Sequence, residues 1–294
     1  MKLRRFAAIV ACMAMTVGIF AGCGAKEETT TNETEQTEQT TENTTEEKKV
    51  LRVGMECAYA PYNWSQKDDS NGAIKINNSN EYANGYDVMM AAKIAEGIGY
   101  DVEIHKIDWN GLPSAVVSGK IDVAIAGMSI TSERLQTVDF TDQYYLADVV
   151  AVTKSDSKYA EAQSVAELDG AICTSQLNTI WYDMIDQIPN ANKQPAMEDV
   201  AAMLVALTSG KVDVVVCDRP TAMAAVFANP ELKLLDFPAE GAFVADEEDV
   251  NIGIAISKEN TELKDEINKV LATISEEDRA EIMQKAIEIQ PLAQ

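Results

Sequence analysis

The sequence predicts an α/β fold made of two successive patterns of alternating strands and helices. Short apolar runs recur along the chain from Val50 onward, and such runs are typical of strands buried on both faces of a parallel sheet. Longer segments between them carry apolar residues every three or four positions, which favours helices that pack one face on a sheet. This alternation predicts mainly parallel sheets flanked by helices.

Residues 1–22 have the features of a secretory signal peptide. They begin with three basic residues, continue as an apolar run and end in small residues directly before Cys23. The apolar run is too short for a membrane-spanning helix. Small residues in front of a cysteine are similar to a lipoprotein cleavage site, so we expect a lipid on Cys23; a plain secreted protein cut nearby is the alternative.

Residues 23–49 are predicted to form a disordered tether on the extracytoplasmic face of the cell membrane. They are rich in Thr and Glu and contain no aromatic or large aliphatic residue, so they cannot bury enough apolar surface to fold. Without residues 1–22 the chain has 21 Lys and Arg against 48 Asp and Glu, a net charge of −27. This charge repels nucleic acid and anionic lipid, so we expect membrane association through the lipid anchor alone.

The first pattern of strands and helices covers residues 50–126. The predicted strands are 50–55, 102–106 and 121–126. The predicted helices are 85–98 and a short segment that ends at Gly119. Residues 65–84 are rich in Asn, Asp and Ser and are predicted to form a loop.

A second, similar pattern begins near residue 148. Its predicted strands are 148–153, 171–174, 212–217, 232–235 and 250–256. Its predicted helices are 178–187, 199–208, 219–228, 261–274 and 276–289. The length is sufficient for one large domain or two small ones, and the pattern leaves both possibilities open.

The end of the predicted strand 121–126 has the composition of an anion-binding turn. Gly127 and several hydroxyl residues follow it, and Ser132 is placed to cap a helix that begins at Glu133. In open α/β sheets ligands lie outside the carboxyl ends of strands. The guanidinium of Arg134 beside backbone N–H groups suits a carboxylate, which it can bind through two parallel hydrogen bonds. An ordinary strand–turn–helix with an exposed arginine is the alternative.

This turn and the residues after it resemble the signature of the polar-amino-acid solute-binding proteins of bacterial ABC transporters. The residues that carry the resemblance are Gly127, Ser129, Thr131, Glu133, Arg134, Val138, Asp139, Phe140, Thr141, Tyr144 and Tyr145. The similarity extends over about residues 50–275. It implies a two-lobed, periplasmic-binding-protein-like fold of type II, with 50–143 plus 252–294 as lobe 1 and 144–251 as lobe 2. Two crossing connections join the lobes, and the ligand lies between them.

The resemblance also implies partners for each part of an amino acid. For the carboxylate they are Arg134, the Ser129 hydroxyl and backbone N–H groups around Gly127 and Ser129, with Asn178 or Thr179 from the opposite lobe. Relatives commonly have Gly-Thr where this chain has Leu177-Asn178. Asn178 could instead cap the next helix.

Asp218 is expected to bind the ammonium, although a carboxylate before a proline-started helix could equally be an N-cap. Glu56, Tyr59 and Trp109 match positions that contact the ligand side chain. Two aromatic faces and a carboxylate suit a cation or an amide, which favours arginine, lysine, histidine or glutamine.

We find no pattern in the sequence that indicates catalysis, a metal or a cofactor. The three cysteines Cys57, Cys173 and Cys217 are an odd number without metal-ligand spacing, although a Cys173–Cys217 bridge is conceivable. His105 is the single histidine, which excludes a His-based triad unless it serves there itself.

The predicted function is therefore that of a lipid-anchored, monomeric substrate-binding protein that presents an amino acid to ABC permease subunits. The alternatives are an enzyme on the same fold, such as a cyclohexadienyl dehydratase-like lyase, and a ligand sensor for a signalling partner.

Overall fold

The computed structural model describes residues 48–246 and 250–291, all within the contact unit Glu47–Gln294. The predicted signal peptide, the lipid-bearing Cys23 and nearly all of the predicted tether lie outside the described residues. No helix in the described part is long and apolar enough to cross a membrane.

The first sheet has five strands drawn from both ends of the described chain. In spatial order they are β6 (Asp101–Lys106), β1 (Val50–Met55), β7 (Val123–Ala124), β14 (Asn251–Ile256) and β8 (Asp139–Leu146). β1 pairs in parallel with β6 and β7, whereas β14 runs antiparallel to β7 and β8. Four strands therefore share one direction, and β14 opposes them.

The second sheet repeats this arrangement. In spatial order its strands are β11 (Asn192–Lys193), β10 (Ile172–Thr174), β12 (Val214–Asp218), β9 (Val149–Lys154) and β13 (Leu232–Leu235). Here β9 is the opposing strand. β9 follows β8 of the first sheet after two residues, so the chain passes directly from the edge strand of one sheet into the other sheet. The predicted α/β class is confirmed, and both five-stranded sheets are mixed, with four strands in one direction and one strand opposed to them.

In the described residues, seven α-helices flank the sheets. They are α1 (Tyr86–Ile98), α2 (Leu112–Val117), α3 (Ile180–Met184), α4 (Val200–Thr208), α5 (Arg219–Ala228), α6 (Thr261–Leu271) and α7 (Glu276–Ile289). α5 and α7 have the predicted bounds, because each has a strong N-terminal cap. Asp218 caps α5, and Ser275 forms a capping box with Asp278 at α7. α3 is shorter than the predicted helix 178–187, since its last turn is a 3-10 helix, Ile185–Gln187.

The prediction of a loop over 65–84 is wrong in part. A third, antiparallel sheet contains β2 (Ala58–Tyr59), β3 (Asn63–Gln66), β5 (Tyr82–Asn84) and β4 (Ile74–Lys75) in spatial order. These strands have two to four residues and polar sequences, which is too short to show the alternation that identifies a strand.

In the described residues, β8 and β14 remain paired up to the ends that lead towards the second sheet. Tyr145 pairs with Ile252, and Leu146 pairs with Asn251, near the points where β8 and β14 meet the second sheet. The pairing shifts register on both sides of Gly253. The chain therefore passes between the sheets along a narrow two-stranded ribbon.

Candidate functional site

Side chains at or just after the ends of strands from all three sheets contact one another. Tyr59 donates a hydrogen bond of 2.5 Å to Asp218, which ends β12. Gln176 follows β10 and donates to Glu56, the residue after β1, over 3.3 Å. This is the place where open α/β sheets bind ligands.

The guanidinium of Arg134 spans the two sheets. Its Nη1 donates to the Ser129 carbonyl oxygen at 2.8 Å, and its Nη2 donates to the Asn178 carbonyl oxygen at 3.0 Å. Its central carbon lies 5.2 Å from the Trp109 ring centroid. Burial lowers the pKa of Arg134 to about 10, so the group keeps its charge at neutral pH. Arg134 thus presents its two donor arms to acceptor oxygens, as binding of a carboxylate requires.

The predicted helix at Glu133, capped by Ser132, is wrong. Arg134 opens only a 3-10 turn, Arg134–Gln136, and the Thr131 hydroxyl accepts a hydrogen bond from the Arg134 N–H at 3.3 Å. β8 begins at Asp139, which leaves room for a single turn.

Gly127 lies in the left-handed region, with φ +61°, and packs against Tyr59. Its N–H donates to the Tyr144 hydroxyl at 2.9 Å. A Cβ atom at this position would lie 2.7 Å from Cε1 of Tyr59. The turn therefore requires glycine for both its backbone conformation and its close contact.

Gly127→Ala is expected to destabilise the protein by about 1–3 kcal/mol, because it adds a steric clash to an unfavourable backbone conformation. Gly119→Ala is the matched control, since Gly119 has φ +69° but nothing within 4 Å of its added Cβ. Urea unfolding of both variants measures the difference. Equal losses of free energy of unfolding would contradict the role of the Tyr59 contact.

Asp218 is 1% exposed and serves as the N-cap of α5. Its Oδ1 accepts from the Thr221 N–H at 2.9 Å, and its Oδ2 accepts from the hydroxyls of Thr221 at 2.8 Å and Tyr59 at 2.5 Å. Burial raises its pKa, and these hydrogen bonds oppose the increase. The predicted N-cap is confirmed, and the same carboxylate also accepts a hydrogen bond from Tyr59 of the third sheet.

Glu56 is 7% exposed, and only one of its two carboxylate oxygens has a hydrogen-bond partner among the described residues. Its Oε1 accepts from Gln176, whereas its Oε2 is buried and has no hydrogen-bond partner among the described residues. Burial is the main cause that raises its pKa to about 7. A buried carboxylate oxygen without a donor favours a ligand group that can supply one.

Asn178 links the sheets through its backbone and its side chain. It has φ +56°, and its carbonyl oxygen accepts from Trp109 Nε1 at 3.4 Å as well as from Arg134. Its amide donates to Asn110 Oδ1 at 2.6 Å. Asn178 does not cap α3; Thr179 occupies the cap position, and its hydroxyl donates to the Gln176 carbonyl at 2.8 Å.

Two small cavities lie beside Tyr59. The first is lined by Tyr59, Trp109, Gly127, Ser129, Arg134, Gln176, Thr179 and Trp181. Its volume is about 10 Å³, room for about one water molecule. The second includes Asp218, and Tyr59, Gln176 and Trp181 line both. A molecule larger than water therefore cannot enter these cavities unless their walls move.

Sequence reasoning placed Gln176 only within the turn that supplies donors to the carboxylate, and it missed Trp181 as a cavity wall. Gln176 is a polar residue between a strand end and a helix, and this position is the sequence feature that could have identified it as a cavity wall. Trp181 is the second residue of α3, and an aromatic residue at such a position is indistinguishable in the sequence from an ordinary core residue.

The described residues contain no group of three or more His, Cys, Asp and Glu arranged to hold a metal ion. Cys57, Cys173 and Cys217 are buried and free, so the conceivable Cys173–Cys217 bridge is absent from the described structure. Burial raises the pKa of all three thiols, which makes them poor nucleophiles.

The family model of the bacterial extracellular solute-binding proteins, family 3, matches residues 51–288. The arginine-binding extracellular protein ArtP of Bacillus subtilis is 27% identical over 81% of this chain and 86% of its own length. A probable histidine-binding protein of Campylobacter jejuni is 31% identical over 62% of this chain and 65% of its own length.

Solved structures show the same similarity. The amino acid ABC transporter substrate-binding protein AbpA from Streptococcus pneumoniae, bound to L-arginine, has a TM-score of 0.68 and 25% identity, covering 81% of this chain and 94% of its own. An ancestral arginine-binding protein bound to glutamine has a TM-score of 0.65 and 32% identity, covering 80% of this chain and 96% of its own.

Proposed function

Because the chain belongs to family 3 of the bacterial extracellular solute-binding proteins and has the type II fold of its structural neighbours, we propose that it binds a polar or cationic L-amino acid. Arginine, lysine, histidine and glutamine are the favoured ligands. Three relatives support this choice by their names. One is named for binding arginine, one for histidine, and one for lysine, arginine and ornithine.

One observation carries the proposal: a single residue, Gln176, adjoins all three charged groups that such a ligand needs. It lines one cavity with Arg134 and the other with Asp218, and it donates to Glu56. The guanidinium of Arg134 suits a ligand carboxylate, the carboxylate of Asp218 suits an ammonium, and the carboxylate of Glu56 suits a cationic side chain.

In the proposed complex, Arg134, Ser129 and either Asn178 or Thr179 hold the ligand carboxylate. The ammonium takes the position of the Tyr59 hydroxyl beside Asp218. Gly127 lies beneath the carboxylate as part of the turn.

The ligand side chain extends along Tyr59 and Trp109 towards Glu56. There its polar group donates to Oε2, the buried oxygen that has no partner among the described residues.

Binding is proposed to close two lobes, 50–143 plus 252–294 and 144–251, about the paired strands β8 and β14. The small cavity supports this motion, because an amino acid cannot enter without movement of its walls. We further propose a monomeric lipoprotein, anchored through Cys23 at the extracytoplasmic face of the membrane, that delivers its ligand to ABC permease subunits. Substrate-binding proteins of ABC transporters among the structural neighbours support this role.

A thermal-shift screen of the twenty amino acids, followed by calorimetry, tests the proposal. Arginine, lysine, histidine or glutamine is expected to give the largest increase in melting temperature. Absence of binding by all twenty would overturn it. We propose binding without catalysis, and turnover of prephenate or arogenate by the protein would contradict that part.

Glu56→Gln is expected to weaken arginine binding more than glutamine binding, because only arginine loses a charge partner. Since the pKa of Glu56 is about 7, its carboxylate is ionised above that pH. Arginine affinity of the unmodified protein should therefore rise by up to about tenfold from pH 6 to pH 8, and the variant should lose most of this rise.

Calorimetry at several pH values measures both effects. Glu103→Gln is the control, since the Glu103 carboxylate contacts His105 instead. Equal losses of affinity for arginine and glutamine in Glu56→Gln would count against a side-chain role for Glu56.

A further inference from the structure

A buried chain of hydrogen bonds connects the two turns that carry the proposed site. On one side the Cys57 N–H donates to Asn63 Oδ1 at 2.7 Å, and Asn63 Nδ2 donates to Asp87 Oδ2 at 2.8 Å. On the other side the Gly127 N–H donates to the Tyr144 hydroxyl at 2.9 Å, which donates to Asp87 Oδ1 at 2.6 Å. Asp87, Asn63 and Tyr144 are fully buried.

The direction of every bond in this chain is determined by its two ends. A backbone N–H can only donate, so Asn63 must turn its oxygen to Cys57 and its NH₂ group to Asp87. For the same reason Tyr144 accepts from Gly127 and directs its proton to Asp87. Both branches therefore converge on one residue that must accept at both oxygens, and an ionised carboxylate does this.

The backbone at the ends of the chain needs this support. Cys57 has φ +55°, an unfavourable conformation for a residue with a side chain, and it directly follows Glu56. Gly127 has φ +61° and precedes Ser129 by two residues. Asn63 and Tyr144 supply the acceptors for these two N–H groups.

We propose that Asp87 is a positioning residue for the amino-acid site, because it holds the Glu56–Cys57 turn and the Gly127 turn at a defined spacing through the two branches. This inference rests on the proposed function. The Asn63 branch governs the contact with the ligand side chain, and the Tyr144 branch governs the contact with the ligand carboxylate.

The test separates the branches by isosteric substitutions. Asn63→Leu should lower arginine affinity about tenfold and glutamine affinity less than threefold, since it releases the Glu56 turn. Tyr144→Phe should lower both affinities by about the same factor, roughly tenfold, since every amino acid has the carboxylate. Asp87→Asn, which cannot accept at both positions, should show both effects.

Tyr86→Phe is the matched control. The Tyr86 hydroxyl is also buried and donates to the Tyr144 backbone carbonyl at 2.7 Å, but it is outside the chain of hydrogen bonds to Asp87. The affinities of Tyr86→Phe for arginine and glutamine should stay within about twofold of those of the unmodified protein. Its melting temperature should nevertheless fall as in Tyr144→Phe.

A general loss of stability cannot change the ratio of arginine to glutamine affinity, so this ratio decides the outcome. The inference is overturned if Asp87→Asn keeps both affinities, or if the two branch variants leave the ratio equally unchanged. If Asp87→Asn does not fold, the branch variants decide alone. Failure of the unmodified protein to bind either ligand would refute the proposed function instead.

Discussion

Asp218→Asn is expected to weaken arginine binding by roughly 30-fold or more, the equivalent of at least about 2 kcal/mol. In the proposed complex the ligand ammonium is buried beside Asp218, and the substitution removes its charge partner. The fold should persist, because asparagine caps helices as well as aspartate does and can still accept from the Thr221 N–H.

Asp213→Asn is the matched control for this experiment. Asp213 precedes β12, the same strand that ends in Asp218, and its Oδ2 accepts from the Ile172 N–H at 3.0 Å. The Asp213→Asn substitution should lower the melting temperature without changing the dissociation constant for arginine measured by calorimetry. Near-normal affinity in a folded Asp218→Asn variant would remove Asp218 from the binding site.

Arg134→Met is expected to reduce affinity for every amino acid ligand by roughly 100-fold or more. Methionine keeps most of the length and apolar volume of arginine but offers no donor to a carboxylate, which leaves a buried anion without its partner. Arg134→Lys should recover only part of the loss, since an ammonium cannot form the two parallel hydrogen bonds of a guanidinium.

Arg52→Met provides the comparison for Arg134→Met. Arg52 lies within β1 and pairs with Asp122, so its loss should affect stability but not affinity. Titration calorimetry with arginine and glutamine measures all three variants. An Arg134→Met protein that binds either ligand with unchanged affinity would contradict the proposed orientation of the ligand.

Most of the fold could be predicted from the sequence, because capping residues mark where several helices begin. The predicted bounds of α5 and α7 coincide with those of the structure, since Asp218, Pro220 and Ser275 mark helix starts chemically. Short elements carry too few residues for such signals. The strand predicted at 121–126 is only Val123–Ala124, and the third sheet was missed.

The candidate site was predictable where one motif carries several functional groups, as at Gly127, Ser129 and Arg134. It was less predictable where a contact joins residues distant in sequence. The hydrogen bond of Gln176 to Glu56 links positions 120 residues apart. The convergence on Asp87 likewise depends on tertiary packing, because Asn63 and Tyr144 lie on separate strands.

In the proposed complex, the Tyr59 hydroxyl competes with the ligand ammonium for Asp218, because it already donates a hydrogen bond to that carboxylate. An incoming ammonium can reach the carboxylate only in molecules whose phenol has moved away. If these are a small fraction of the population, the apparent dissociation constant exceeds the intrinsic one by the reciprocal of that fraction. One tyrosine could thus set the concentration at which capture begins, independently of the groups that select the solute.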